Sequence, residues 1–226
     1  MISVVIPCHN EEKGVKEVIP RLPQGAEVIV VDNNCSDRTA EVARGLGARV
    51  VMEKVPGYGA AIKKGLTSAT GELVVVLDGD SQYPAEKINA ALAFLRTRKL
   101  DFVSCNRFPL QDKSAMTLMR RLGNWVLTTA ANVLFGLRLN DSQSGMWVFK
   151  REVLNKIKLE NVSMPFSEEI KIKAATHPEI TFGEFHVPYI ERLGASSLSP
   201  WKHGWQNLLY LLRLRCELWQ SPRRIK

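Results

Sequence analysis

An α/β fold built on a mostly parallel sheet is what this sequence predicts, and two observations carry the expectation. Residues 3–7, 27–32 and 73–78 are short runs rich in Val, Ile and Leu, apolar along their whole length, as strands covered on both faces must be. Helical stretches separate them, so strand and helix alternate in the manner of a doubly wound sheet. With 226 residues and 45% hydrophobic content the chain can bury a full core.

The elements follow in order. The first strand, 3–7, gives way to a helix over 11–21 that stops before Pro23. The second strand, 27–32, leads to a helix over 37–45, with Ser36 placed to cap it. A short strand at 48–52 precedes a helix over 59–69, which ends at Gly71. After the strand at 73–78 come a helix over 85–98 and a strand at 102–105. The alternation then fades. Residues 116–135 read as a long helix, 145–149 as a strand, 166–175 as a helix and 184–187 as a strand.

Composition narrows the function classes. Every unbroken apolar run falls well short of the roughly 18 residues that cross a bilayer as a helix. The first residues, Met1-Ile2-Ser3-Val4-Val5-Ile6-Pro7, lack a basic n-region and a cleavage site, so a cytoplasmic protein is expected. Cys8, Cys35, Cys105 and Cys216 are scattered, without a zinc-binding cluster, and read as reduced thiols. A net charge of +8 predicts attraction to polyanions: nucleic acid, anionic lipid or a phosphorylated substrate.

Ligands of such sheets bind beyond the carboxyl ends of the strands. Three polar clusters sit at those ends: His9-Asn10-Glu11, Asp32-Asn33-Asn34 and Asp78-Gly79-Asp80. They should meet at one sheet edge. Asp78 and Asp80, with Gly79 between them to let the backbone turn, suit Mg²⁺ or Mn²⁺ bridging to substrate phosphates, with Gln82 in reach; the same residue types also suit an ordinary turn. Asp32 is placed to accept a hydrogen bond from a base or ribose, and Glu11 either contacts ribose or favours its helix N-terminus. Gly57 and Gly59 of Pro56-Gly57-Tyr58-Gly59-Ala60-Ala61 permit close backbone approach to a ligand, without the ending of a Walker loop.

These residues resemble the family 2 glycosyltransferases, especially the dolichyl- and polyprenyl-phosphate sugar synthases. The resemblance runs from Ser3 to about Ser197 through Val5-Ile6-Pro7-Cys8-His9-Asn10-Glu11-Glu12, Val30-Val31-Asp32-Asn33-Asn34-Cys35-Ser36-Asp37-Arg38-Thr39, Asp78-Gly79-Asp80-Ser81-Gln82-Tyr83-Pro84, Asn106-Arg107 and Asp141-Ser142-Gln143-Ser144-Gly145. It implies the GT-A fold: Rossmann-like, a mostly parallel twisted sheet flanked by helices, over residues 1–199. It implies that Pro7, Asn10, Glu11 and Asp32, with Asn34, Gly57, Gly59 and Gly79 around them, bind the nucleotide. Asp78, Asp80 and Gln82 would surround the metal and diphosphate, and Arg107, Ser144 and Arg192 the sugar or acceptor phosphate. Lipid-phosphate members often carry Phe-Arg after the Ser-Gly step, where this chain has Met146-Trp147; their later Arg–Gly–Ser element stands as Arg192-Leu193-Gly194-Ala195-Ser196.

Residues 200–226 combine Trp201, Trp205 and Trp219 with leucines and basic residues, the composition of a C-terminal amphipathic helix at a lipid surface or packed on the core; residues 125–135 join it or belong to the core. The expectation is therefore an inverting, metal-dependent glycosyltransferase at the cytoplasmic face of a membrane, with no nucleic-acid partner. It would move a sugar from a nucleotide sugar, UDP- over GDP-linked because uridine is the commoner donor in the family, to a polyprenyl or dolichyl phosphate. A hydroxyl acceptor would need a general base, for which Glu168 and Glu169 are candidates. A sugar-nucleotide pyrophosphorylase is disfavoured by the missing Gly-rich N-terminal signature. A non-catalytic, membrane-associated subunit that binds a nucleotide sugar is the reading from another class.

Overall fold

A computed structural model describes residues 1–194 and 200–220. Seven strands, β1 (Ile2–Cys8), β2 (Glu27–Asp32), β3 (Arg49–Met52), β4 (Leu73–Val76), β5 (Phe102–Asn106), β6 (Trp147–Lys150) and β7 (Phe182–His186), form one sheet in the order β3-β2-β1-β4-β6-β5-β7. The first four are parallel neighbours, as alternating strand and helix require. β6 runs antiparallel to both β4 and β5, while β7 is parallel to β5.

The helices are α1 (Glu12–Val18), α2 (Thr39–Gly45), α3 (Tyr58–Ser68), α4 (Ile88–Thr97), α5 (Leu118–Phe135), α6 (Phe166–Thr176) and α7 (Pro200–Gln220). Successive strand residues point to opposite faces, so each apolar strand feeds two cores. Val4, Ile6, Val30 and Val75 pack with Val15, Val18 and Leu92 on the α1/α2/α4 side. Val5, Val31, Val76 and Trp147 pack with Ile62, Phe166 and Ile170 on the α3/α6 side. A third cluster joins α5, α6 and α7 through Leu127, Ala131, Phe135, Ile172, Leu211 and Leu214.

Several boundaries differ from the sequence reading. β4 stops at Val76, two residues before Asp78, so the acidic pair lies wholly in the loop. α2 starts at Thr39, and Ser36 does not cap it; the Ser36 hydroxyl donates to Asn10 Oδ1 at 3.2 Å, and Asp37 Oδ1 receives the Thr39 N–H at 3.0 Å. β1 continues through Pro7, beyond Val5, the last residue paired with β4, so the missing N–H leaves that ladder intact. Ala195 and Ser196 of the Arg192 element, and residues 221–226 of the basic tail, lie outside the described residues.

Candidate active site

The loops that follow β1, β2 and β4 each place a residue in the left-handed backbone region: Asn10 (φ 60°), Asn34 (φ 61°) and Ser81 (φ 68°). Asn tolerates this conformation because its short amide can bond locally. Asn10 Oδ1 accepts the N–H groups of Ser36 (2.7 Å) and Asp37 (3.3 Å), and the His9 ring Nδ1 donates to the Asn33 carbonyl at 2.8 Å. The first two clusters are thus fastened together. Asp32 Oδ1 accepts the Cys35 N–H at 2.9 Å, which fixes its carboxylate at the strand end. Asn33, which the sequence reading gave no role, clamps the next loop. Its amide donates to the Glu53 and Val55 carbonyls, and its Oδ1 accepts from Gly57.

The third cluster joins them through a residue 112 positions away. Arg192 Nη1 donates to Asp80 Oδ2 at 2.5 Å, and its Nη2 pairs with Glu11 Oε1. The segment carrying Arg192 is pinned down: Leu193 N–H donates to the Asp80 carbonyl at 3.2 Å and Ile190 N–H to the Gln82 carbonyl at 3.1 Å. Asp78 is held from the other side by the Tyr58 hydroxyl at 2.9 Å, and Gly145 leaves room for it, since a Cβ there would stand 2.3 Å from Asp78 Oδ2.

The electrostatics is that of an acidic pair short of positive charge. Burial raises Asp78 to about 7 and lifts Asp80 from its ordinary value; repulsion from Asp80 adds to it at Asp78, and Arg192 opposes it at Asp80. Burial likewise lifts Glu11 to about 7, against the pull of Arg192 and with the push of Asp80. Oxygen donors in this state fit a hard divalent cation. Among the described residues no three His, Cys, Asp or Glu side chains gather as a metal cage. A cation here would take its protein ligands from the Asp78–Asp80 loop and the rest from substrate oxygens, as Mg²⁺ commonly does.

The other expected residues have these partners within the chain. The Gln82 N–H donates to Asp80 Oδ1 (3.1 Å), while its side-chain Nε2 donates to the Ile190 carbonyl (3.1 Å) and its Oε1 accepts from Tyr189 (2.8 Å). Gly79 keeps an ordinary backbone; it is needed because a Cβ would lie 2.7 Å from Cys8 Sγ. Gly57 (φ 141°) and Gly59 make the close approach foreseen for a ligand to the chain itself, at the Val162 and Asn161 carbonyls. Arg107 is buried in a bidentate pair with Asp141 (2.6 and 2.9 Å), bonds Asn124 and lies 5.0 Å over the Tyr189 ring. Ser144 is fully buried, donates to the Cys105 carbonyl, and its own carbonyl accepts from Lys171 Nζ and Trp147 Nε1. Met146 and Trp147 are core side chains. Glu168 is buried against Gln143, and Glu169 accepts the Glu160 and Asn161 N–H groups and the Lys173 ammonium.

The sequence profile of "Glycosyl transferase family 2" matches residues 3–158, the stretch that carries all three strand-end clusters. The chain belongs to glycosyl transferase family 2. Among family members, a dolichyl-phosphate hexose transferase of Haloferax volcanii is 33% identical over 90% of this chain and 89% of that protein. A dodecaprenyl-phosphate galacturonate synthase of Rhizobium johnstonii is 26% identical over 70% of this chain and 50% of that one. In the fold, the chain is similar to glucosyl-3-phosphoglycerate synthase of Mycobacterium tuberculosis, solved with Mn²⁺, UDP-glucose and phosphoglyceric acid: TM-score 0.74 at 21% identity, covering 96% of this chain and 80% of that one. The seven-stranded sheet flanked by helices is the GT-A fold, and the chain is a glycosyltransferase.

Proposed function

We propose that this glycosyltransferase moves a sugar from a UDP-sugar to a polyprenyl or dolichyl phosphate, inverting the anomeric centre, with Mg²⁺ or Mn²⁺ bound at Asp78 and Asp80. The observation that carries the reading is Arg192, which pairs with Asp80 and Glu11 while its Nε is buried without a partner. A buried orphan donor is costly, and a phosphate oxygen satisfies it.

In this reading Asp32 receives the nucleoside, with Pro7, Asn10 and Asn34 shaping the strand ends around it, and the diphosphate lies over the Asp78–Asp80 loop. A bound divalent cation would supply Lewis-acid neutralisation of the leaving diphosphate. Tyr58 holds Asp78 oriented, and Arg192 offers its cation to phosphate. The acceptor oxygen attacks C1 as the C1–O bond to the diphosphate breaks, so the nucleoside diphosphate leaves on the opposite face. Arg107 and Ser144 act from behind, holding the loop over 141–145 that packs against Asp78.

The acceptor assignment draws on the glutamates as well. A hydroxyl acceptor needs a base, and both Glu168 and Glu169 are fully buried. A phosphate monoester is already ionised at neutral pH. The relatives named for dolichyl- and dodecaprenyl-phosphate products support the same acceptor class.

The test is transfer of label from UDP-glucose, UDP-N-acetylglucosamine and GDP-mannose, with Mn²⁺ or Mg²⁺, to detergent-solubilised dolichyl or undecaprenyl phosphate. Solvent-extractable product from a UDP-sugar is expected, and Asp80→Asn should lower its rate by about 10²-fold or more. Label reaching only water or free sugars would defeat the assignment.

A further inference from the structure

α7 has two faces. Asn207, Leu211 and Leu214 are buried, on the side that meets α5 and α6. The other side carries Trp201, Trp205, Leu209 and Leu212, each between 48% and 77% exposed. Their spacing of four, four and three residues keeps them on one stripe about three turns long.

α5, packed alongside, is built the same way. Its inner face buries Asn124, Leu127, Thr128, Ala131 and Phe135. Its outer face exposes Leu118, Leu122, Trp125 and Val133 by 59% to 78%, again at helical spacing. Apolar area of this extent on two adjacent helices is unusual for surface left to water.

Charge identifies what covers it. The two helices hold five cations, Arg120 and Arg121 on α5 and Lys202, Arg213 and Arg215 on α7, against one carboxylate, Glu217, which pairs with Arg213 at 2.7 Å and leaves an excess of four. A second copy would bring the same positive excess face to face. An anionic bilayer complements both features: its headgroups attract the cations, and its interface favours tryptophan beside leucine.

We propose that the outer faces of α5 and α7 form a single two-helix platform that docks on an anionic lipid surface. The inner faces explain why this pair is used. Thr128 exchanges hydrogen bonds with Ser142, and Asn207 donates to Gln143 at 2.7 Å, so both helices grip the loop that ends at Gly145 beside Asp78. Docking sets that loop about one helix diameter, roughly 10 Å, above the bilayer. A lipid phosphate then reaches the site without leaving the interface; this use of the platform rests on the function proposed above, whereas the docking does not.

The experiment is sedimentation of the full chain with vesicles, without donor or acceptor. Phosphatidylcholine vesicles are compared with vesicles containing phosphatidylglycerol, and tryptophan emission is followed. The chain should partition onto the anionic vesicles with a blue-shifted emission. Trp201→Ser with Trp205→Ser on α7, and Leu122→Ser with Trp125→Ser on α5, should each weaken partition at least about tenfold. The folding of each variant is checked by its melting temperature. No binding to anionic vesicles overturns the proposal, as does an α5 variant that binds like the wild type. So does a dimer in ultracentrifugation that these substitutions dissociate. Vesicle binding without transfer to lipid phosphate would defeat the proposed function and leave the platform standing.

Discussion

At the scale of single residues, the site depends on how one carboxylate is held. Gly145→Ala would drive a methyl group to within 2.3 Å of Asp78 Oδ2 and 2.9 Å of the Tyr58 hydroxyl. Both are ends of side chains that can swing aside, so the cost falls on the geometry of Asp78 rather than on the fold. A displacement of about 1 Å at a reacting centre costs about 10²-fold, so the transfer rate should fall by about that factor while the melting temperature changes little. Glu168 makes a second case. Burial pushes it up to about 8 against the bond from Gln143, from an ordinary value of 4.5. Between those values the folded chain keeps a proton that the unfolded chain loses, so Glu168 weakens folding progressively as pH rises through this window. Glu168→Gln removes the effect. Its stability relative to wild type should therefore improve by on the order of 1 kcal/mol per pH unit from about pH 5 to 8, as read by denaturant unfolding at each pH.

At the scale of elements, α7 is part of the core as well as of the surface. Leu214 is fully buried among side chains of α5 and α6, and Leu212, two residues earlier, is 48% exposed. Leu214→Ala should cost about 2–5 kcal/mol in urea unfolding, whereas Leu212→Ala should stay within about 0.5 kcal/mol. A tail detached from the domain would show neither loss. The amphipathic composition of this helix was legible, but which face meets the core was not, because Leu208, Leu211 and Leu214 differ from Leu209 and Leu212 only in what lies beside them. β1, β2 and β4 were legible for the opposite reason: strands buried on both faces carry their environment in their own composition. The direction of β6 was not, since Trp147-Val148-Phe149 would be as apolar in either orientation. The same division runs through the site. That Asp78, Asp80 and Glu11 meet at one sheet edge was legible because strand ends in a parallel sheet converge. Asp141, Tyr189 and Lys171, which hold Arg107, Gln82 and Ser144, act through contacts distant in sequence. Tyr58 offered a signal, lying between the two glycines already singled out.

At the scale of the whole molecule, the site is closed across the two ends of the chain. Glu11 and Asp80 come from the parallel half, and Arg192 follows the last strand, so the ion pairs between them tie the return segment to the sheet. Arg192 here does what an added cation would also do: it offsets the repulsion among Glu11, Asp78 and Asp80. The two should compete. In the wild type, Mn²⁺ alone must displace the guanidinium from Asp80 and should raise the melting temperature only slightly. With UDP present, the displaced guanidinium gains phosphate oxygens, and binding at about 100 times Kd adds roughly 2.7 kcal/mol, or about 5–10 °C for a chain of this size. Arg192→Gln reverses the order. The unliganded variant should melt lower than wild type, because Glu11 and Asp80 are left buried without a counter-charge. Mn²⁺ alone should then stabilise it more than it stabilises the wild type, and UDP should add less. Equal Mn²⁺ shifts in the two proteins would show that the cation does not share Asp80 with Arg192, and would move the metal away from this loop.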